Sequence, residues 1–222
     1  MRKFLLILLS FLLITTHIYS QNRITFNFGY GYFLYNSENS MKIMGDKKFD
    51  SHLSYGVRFL RKDILGLDIS LGYSFSESVK KRTLIFYRTD PNSPTIVDSY
   101  GSDVTLLTHT IELNYYTQIT SYLSAGIGPT FLFANRILEA NFPGEGAKFN
   151  IYDKLASACI GGNVFVEFTI PLNDAENYFF LSPKLKAVYA HSFWFDEKGR
   201  ILDNYKQEFL DTQISVGVGY NF

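Results

Sequence analysis

The sequence predicts an all-β protein: an eight-stranded antiparallel up-and-down transmembrane β-barrel with short periplasmic turns and long extracellular hairpins. Three observations predict it. Apolar and polar residues alternate with a period of two in eight segments. The connectors between those segments alternate strictly between short and long. The composition is rich in aromatics, at 17% against 19% charged residues, with 21 Phe, 16 Tyr and a single Trp in 222 residues. That load suits interfacial girdles better than a soluble core.

The N-terminal segment reads as an address. Arg2 and Lys3 form a positive start, Phe4 to Ile14 is apolar apart from Ser10, and Thr15 to Ser20 is more polar and ends in a small residue. This is the pattern of a secretory signal peptide covering residues 1–20, cut after Ser20. Residues 21–222 then form one barrel domain. The apolar run falls short of the roughly 20 residues a spanning helix needs. No cysteine lies near the cut, which argues against a lipoprotein anchor, and the mature chain has no hydrophobic helix candidate. Cys159 is the one cysteine in the sequence, so neither an intramolecular disulfide nor a cysteine metal cluster is expected. Formal net charge is +0, which offers no basic field to nucleic acid.

The segments follow in order. Ile24, Phe26, Phe28, Tyr30 and Tyr32 alternate with Thr25, Asn27, Gly29 and Gly31. Leu53, Tyr55, Val57 and Phe59 alternate with Ser54, Gly56 and Arg58, and Leu67 to Phe75 with Asp68, Ser70, Gly72 and Ser74. Ile111, Leu113 and Tyr115 alternate with Glu112 and Asn114, and Leu123 to Phe133 with Ser124, Gly126, Gly128 and Thr130. Ala158, Ile160, Val164, Val166, Phe168 and Ile170 alternate with Cys159, Gly161, Asn163, Phe165 and Glu167. Phe179 to Tyr189 alternate with Ser182, Lys184 and Lys186. Thr212, Ile214, Val216, Val218, Tyr220 and Phe222 alternate with Asp211, Gln213, Ser215, Gly217, Gly219 and Asn221. Alternation alone does not say which face points outward, but charges of both signs suit a polar lumen better than a ligand cavity. The glycines at 29, 31, 217 and 219 are expected to relieve crowding inside a narrow barrel.

Short turns are predicted at Lys62–Gly66, Gln118–Ser121 and Pro171–Asn177. Long hairpins reverse at Met44–Lys47, Asp90–Pro94, Pro143–Gly146 and Asp196–Arg200, where Gly, Pro, Asn and Asp gather. A ten-strand reading of the Gly66–Gln118 region is disfavoured by Lys80, Lys81, Arg82, Arg88 and Asp90. Each Lys or Arg on a lipid face costs roughly 2–4 kcal/mol at mid-bilayer.

On these features the chain resembles the small outer-membrane β-barrels of the outer-membrane protein A transmembrane-domain kind. The carriers are the signal peptide, the eight segments, the strand Tyr122–Pro129 and the terminal Val216–Phe222. The resemblance implies residence in the outer membrane, contact with its lipid and lipopolysaccharide, and a C-terminal signal for the barrel-assembly machinery carried by Val218, Tyr220 and Phe222. It implies little about activity, since such barrels include adhesins, resistance factors and lipid-modifying enzymes.

The candidate site is a lumen charge network of Arg58, Asp68, Glu112, Glu167, Lys184, Lys186 and Asp211. Arg58 and Asp68 flank one short turn and Glu167 and Lys184 another, which predicts cross-strand pairing. The bland reading is a structural polar plug; the sharp one is a gated ion or proton path. His52 and His109 read as isolated. His191-Ser192 is similar to a pair in lipid A deacylases, but strand neighbours point to opposite faces. Asp98-Ser99 is similar to a dipeptide of the outer-membrane palmitoyltransferase, without a matching histidine. No calcium loop or phosphate-cradling glycine loop occurs. The leading expectation is a non-enzymatic barrel that works through its extracellular hairpins, without cofactor and with its ligand unassigned. The rivals are a narrow conduit for small hydrophobic molecules or ions, a lipid-modifying enzyme, and a soluble calycin-like barrel with its faces reversed.

Overall fold

The computed structural model describes residues 22–37, 50–64, 67–90, 93–142, 149–173, 177–198 and 207–222. The strands are β1 (Asn22–Ser37), β2 (Asp50–Ile64), β3 (Leu67–Asp90), β4 (Ser93–Gln118), β5 (Leu123–Phe142), β6 (Phe149–Phe168), β7 (Ile170–Pro171), β8 (Tyr178–Lys198) and β9 (Gln207–Asn221). Successive strands pair antiparallel from β1 to β6, β6 pairs with β8, β8 with β9, and β9 with β1. The two-residue β7 carries the β6 edge past Thr169 against β8. The result is a closed barrel of eight staves, in which each long strand has a paired neighbour on both sides.

The alternation of the sequence becomes two faces. Outward positions are apolar and exposed: Phe26, Phe28, Tyr30 and Tyr32 on β1, Leu71 and Tyr73 on β3, Ile214, Val216 and Val218 on β9. Inward positions are buried and mostly polar: Thr25, Ser54, Arg58, Ser70, Glu112, Asn114, Thr130 and Gln213. The reversed arrangement of a calycin-like barrel is therefore excluded. The apolar stretch runs from Leu67 to Phe75 on β3, from Leu123 to Phe133 on β5 and from Leu210 to Tyr220 on β9, the 9–11 residues a tilted strand needs to cross a bilayer. Beyond it the outward positions turn polar at Ser51, Glu77, Asn135, His191 and Glu208.

β3 and β4 stay paired with each other past that boundary, from Asp68↔Tyr116 to Asp90↔Ser93. They form one projecting hairpin, not two further staves, and its reversal falls within the predicted Asp90–Pro94. The predicted tips Met44–Lys47 and Pro143–Gly146 lie outside the described residues, as does the predicted signal peptide. The predicted tip at Asp196–Arg200 is corrected: β8 continues through Lys198, still paired with Lys154.

The two chain ends described, Asn22 and Phe222, exchange main-chain hydrogen bonds of 2.7 and 2.9 Å at the same end of the barrel as the short turns. At the β2–β3 turn Asp63 adopts a positive φ of 59°, a backbone state that Asp tolerates better than most residues. Ala158 departs from its expected outward position and is buried. A bulge explains it: Cys159 pairs with Ser192 and Ala158 with Trp194, so Phe193 is the extra residue and the parity of β6 against β8 shifts.

Candidate functional site

Among the described residues, the lumen is where the fold gathers ionisable groups from many strands. Its layers can be followed from the short-turn end. At the rim, the Arg23 guanidinium donates to Asn221 Oδ1 at 3.1 Å, Thr169 Oγ1 at 3.4 Å and the Tyr178 hydroxyl at 3.3 Å. Above it Leu60, Tyr116 and Phe165 form an apolar layer. Phe165 has room because it lies over Gly126, where any Cβ would collide with the ring.

The central layer is charged. Arg58 Nη2 donates to Glu167 Oε2 at 2.5 Å. The same carboxylate accepts from the Tyr116 hydroxyl at 2.9 Å and from Ser182 Oγ at 3.1 Å. The Arg58 guanidinium also stands over the Phe165 and Tyr116 rings, 5.0 and 5.7 Å from their centroids, an arrangement that adds cation–π attraction. Lys186 Nζ donates to Glu112 Oε1 at 2.6 Å. Arg58 is on the second stave and Glu167 on the sixth, so this pair spans the diameter of the barrel. Glu112 and Lys186 join β4 to β8, the fourth stave to the seventh, along a chord beside it. Between them remains a polar cavity of about 20 Å³, the size of a single water. Arg58 Nε and Nη1 and the Ser74 and Ser215 hydroxyls have no hydrogen-bond partner among the described residues.

Toward the hairpin end, His52 Nε2 and Asp211 Oδ1 are 2.8 Å apart, and Gln213 Nε2 donates to Asp211 Oδ2 at 2.5 Å. Gly31 faces this group; a Cβ there would stand 2.6 Å from His52 Nε2. Phe33 stacks on the His52 ring at 4.0 Å. Phe33, Leu106, Leu132, Ala134, Cys159, Ala190 and Phe209 then close the bore with an apolar plug.

Six of the seven residues assigned to the lumen from sequence are buried in it: Arg58, Glu112, Glu167, Lys184, Lys186 and Asp211. Asp68 is corrected. It lies at the rim and accepts the Asp63 main-chain N–H at 3.0 Å, bracing the turn. The expected Arg58–Asp68 opposition fails because Arg58 pairs in register with Gly72. The chain reverses between Ile64 and Leu67, beyond the midpoint that an Arg58–Asp68 pair would need, and the irregularity between Arg61 and Ile64 shifts the register by a single residue. Glu167 and Lys184 do oppose each other in register, but the Lys184 ammonium lies over the Phe165 ring at 5.7 Å while Glu167 takes Arg58.

Sequence reasoning set Ser182 on the inner face without a role, and it missed His52, Tyr116, Arg23 and the apolar plug. His52 is a lumen partner of Asp211, not isolated. His109 is not isolated either: on the outer wall its Nδ1 is 2.8 Å from the Tyr73 hydroxyl. The parity of His52 with Ser54 and Arg58 was the available signal. His191 and Ser192 lie on opposite faces, exposed and buried. The side chains of Asp98 and Ser99 lie outside those described. Val218, Tyr220 and Phe222 all face outward, with the Tyr220 ring 4.8 Å from Phe179 and 6.0 Å from Phe222.

No family model matches the sequence, and no curated protein matches it. Several solved structures do. The attachment invasion locus protein of Yersinia pestis, solved with the heparin analogue sucrose octasulfate, is 14% identical, with 92% of this chain and 100% of that chain covered and a TM-score of 0.42. Neisserial surface protein A is 11% identical, with 88% and 96% covered and a TM-score of 0.41. A major outer membrane protein from Thermus thermophilus is 10% identical, with 90% and 99% covered and a TM-score of 0.43.

The solvent this molecule requires follows from its own wall. Large apolar side chains project from every long stave, Ile214 being 67% exposed and Ile127 62%, and they form a continuous band where a water-soluble protein would carry scattered patches. Hydrocarbon suits such a band, and among strand architectures only a closed sheet leaves no main-chain group unsatisfied in it. The chain is a closed eight-stranded antiparallel β-barrel with the outer wall of a membrane-spanning one.

Proposed function

We propose that this barrel is non-enzymatic and sealed, and that it acts as a structural or binding protein through the hairpins at the end opposite the short turns. The observation that carries the reading is the pair of ionic struts across the bore, Arg58–Glu167 and Glu112–Lys186, with about 20 Å³ left between them. Solute cannot pass without breaking them, and aqueous channels belong to barrels of about 16 strands rather than eight. Charges desolvated this far are stable only while paired, so the struts read as structure before they read as a path.

In this reading the short turns and both chain ends face the periplasm and the long hairpins face outward. Residues 1–20 direct export and are removed. Lipopolysaccharide and bilayer lipid surround the belt, and Val218, Tyr220 and Phe222 present the assembly signal. Neither a cofactor nor a nucleic acid is required. The test is planar-bilayer recording of the purified protein, with little or no steady conductance expected. A large, stable conductance would overturn the seal and favour the conduit for small hydrophobic molecules or ions.

A further inference from the structure

We propose that a groove in the outer wall over β8 and β9 seats one acyl chain of a membrane lipid. The inference rests on the barrel being embedded in a bilayer. The groove is open to the bilayer along its length and offers about 430 Å³. It exists because two short side chains meet. Ala187 and Thr212 oppose each other in register and both point outward. In the same row Thr212 is followed by Tyr32 on β1, and Ala187 by Val164 on β6. One row nearer the short turns, Leu185 and Ile214 restore full height. The Tyr30 and Tyr32 rings, edge to face at 5.4 Å, make one bank.

The groove is continuous with the lipid-facing belt, so bilayer hydrocarbon already covers it. Its outer lining is apolar or hydroxylic and uncharged; Lys186 also lines it, but its ammonium is held in the lumen by Glu112. An acyl chain matches that neutrality. In hydrocarbon the hydrophobic effect favours no particular occupant, so packing decides. A notch left unfilled forfeits dispersion contacts along its whole lining, and the paired staves beneath it cannot collapse inward because the lumen is full. A second copy around a two-fold axis would set groove against groove and double the notch. A flexible chain fills it.

The experiment uses the purified full-length mature chain in phosphatidylcholine vesicles doped with a phospholipid carrying a diazirine on one acyl chain. Photolabelled peptides are mapped by mass spectrometry. The outward pair Leu71 and Leu113, which oppose each other on the far wall, is the internal reference. Label is expected in several-fold excess at Leu185–Ala187 and Thr212–Ile214. Filling the notch with Ala187→Leu and Thr212→Leu is expected to abolish that excess and leave the reference labelling unchanged. Heat-modifiable gel migration shows whether the variant folds, and Thr212→Ile alone serves if the double variant does not. Equal labelling around the barrel, or an excess that survives filling, overturns the acyl-chain site. So does efficient disulfide dimerisation of a Thr212→Cys variant in the same vesicles, which would assign this face to a second copy. Failure of the wild type to enter vesicles would overturn the membrane reading itself, a result distinct from uniform labelling.

Discussion

Glu167 shows how one side chain can organise a bore. It is 1% exposed and accepts from Arg58, Tyr116 and Ser182, side chains on three other staves. Removing its charge strands the Arg58 guanidinium, and breaking a buried pair on one side costs roughly 3–5 kcal/mol. Glu167→Gln is therefore expected to lower the unfolding free energy, read from urea titration of the barrel in detergent, by that order. Replacing both partners, Arg58→Met with Glu167→Leu, is expected to cost clearly less than the sum of the two single changes, because no charge is left unpaired. Lys184→Gln is the control. Its ammonium makes no ion pair within 4.0 Å among the described residues and rests against Phe165, so its loss is expected to cost less than the loss of Glu167. A double-mutant cycle that placed the coupling with Lys184 instead of Arg58 would reject this assignment.

At the scale of elements, β9 does two jobs. It completes the wall by pairing with both β1 and β8, and it presents Val218, Tyr220 and Phe222 to the outside. Those jobs separate experimentally. Deleting Phe222 removes the two main-chain hydrogen bonds with Asn22, each worth about 0.5–1.5 kcal/mol net. That loss leaves most of the seam intact, so refolding of the deletion variant into lipid vesicles is expected to succeed. In cells the same variant is expected to accumulate unfolded in the periplasm. Failure in both settings would make Phe222 a stability residue, and success in both would remove it from assembly altogether. The β5–β6 pair carries a second element-level prediction. Gly126→Leu would drive a side chain into the Phe165 ring, and it is expected to reduce the heat-modifiable folded fraction strongly, whereas Gly162→Ala, whose nearest neighbour would be 3.5 Å away, is expected to be tolerated.

At the scale of the whole molecule, the proposed topology predicts where a protease can reach. Surface digestion of intact cells is expected to cut between Lys80 and Val104 and to spare Lys62–Gly66; cleavage at the latter would invert the orientation. The wall was legible in the sequence because a period of two is a local property, and each outward residue is specified by its own strand. The lumen was legible only in part. Parity placed Arg58, Glu112, Glu167, Lys184, Lys186 and Asp211 inside, but sought their partners across the nearest turn. In a barrel of eight staves the opposite wall is within reach of one side chain, so Arg58 finds Glu167 across the diameter, 109 residues away in sequence. Asp68 was misplaced because the chain reverses between Ile64 and Leu67, which leaves Asp68 beside the turn and sets Gly72 opposite Arg58, and the apolar plug was missed because Phe33 and Phe209 sit at the margins of the alternating segments.

The seam between β1 and β9 also sets a timetable. Arg23 faces Asn221 and Ser37 faces Gln207, so the first strand to leave the ribosome waits for the last before its open edge is satisfied. No vectorial order of synthesis can close this sheet piecemeal, and pairings of such long sequence separation form slowly. Until then the chain carries an unpaired edge and an apolar face through water, the state in which strands seek foreign partners. On the proposed periplasmic route a holding chaperone is expected to shield this chain, and its depletion is expected to harm this protein before it harms any neighbour whose first and last strands do not meet.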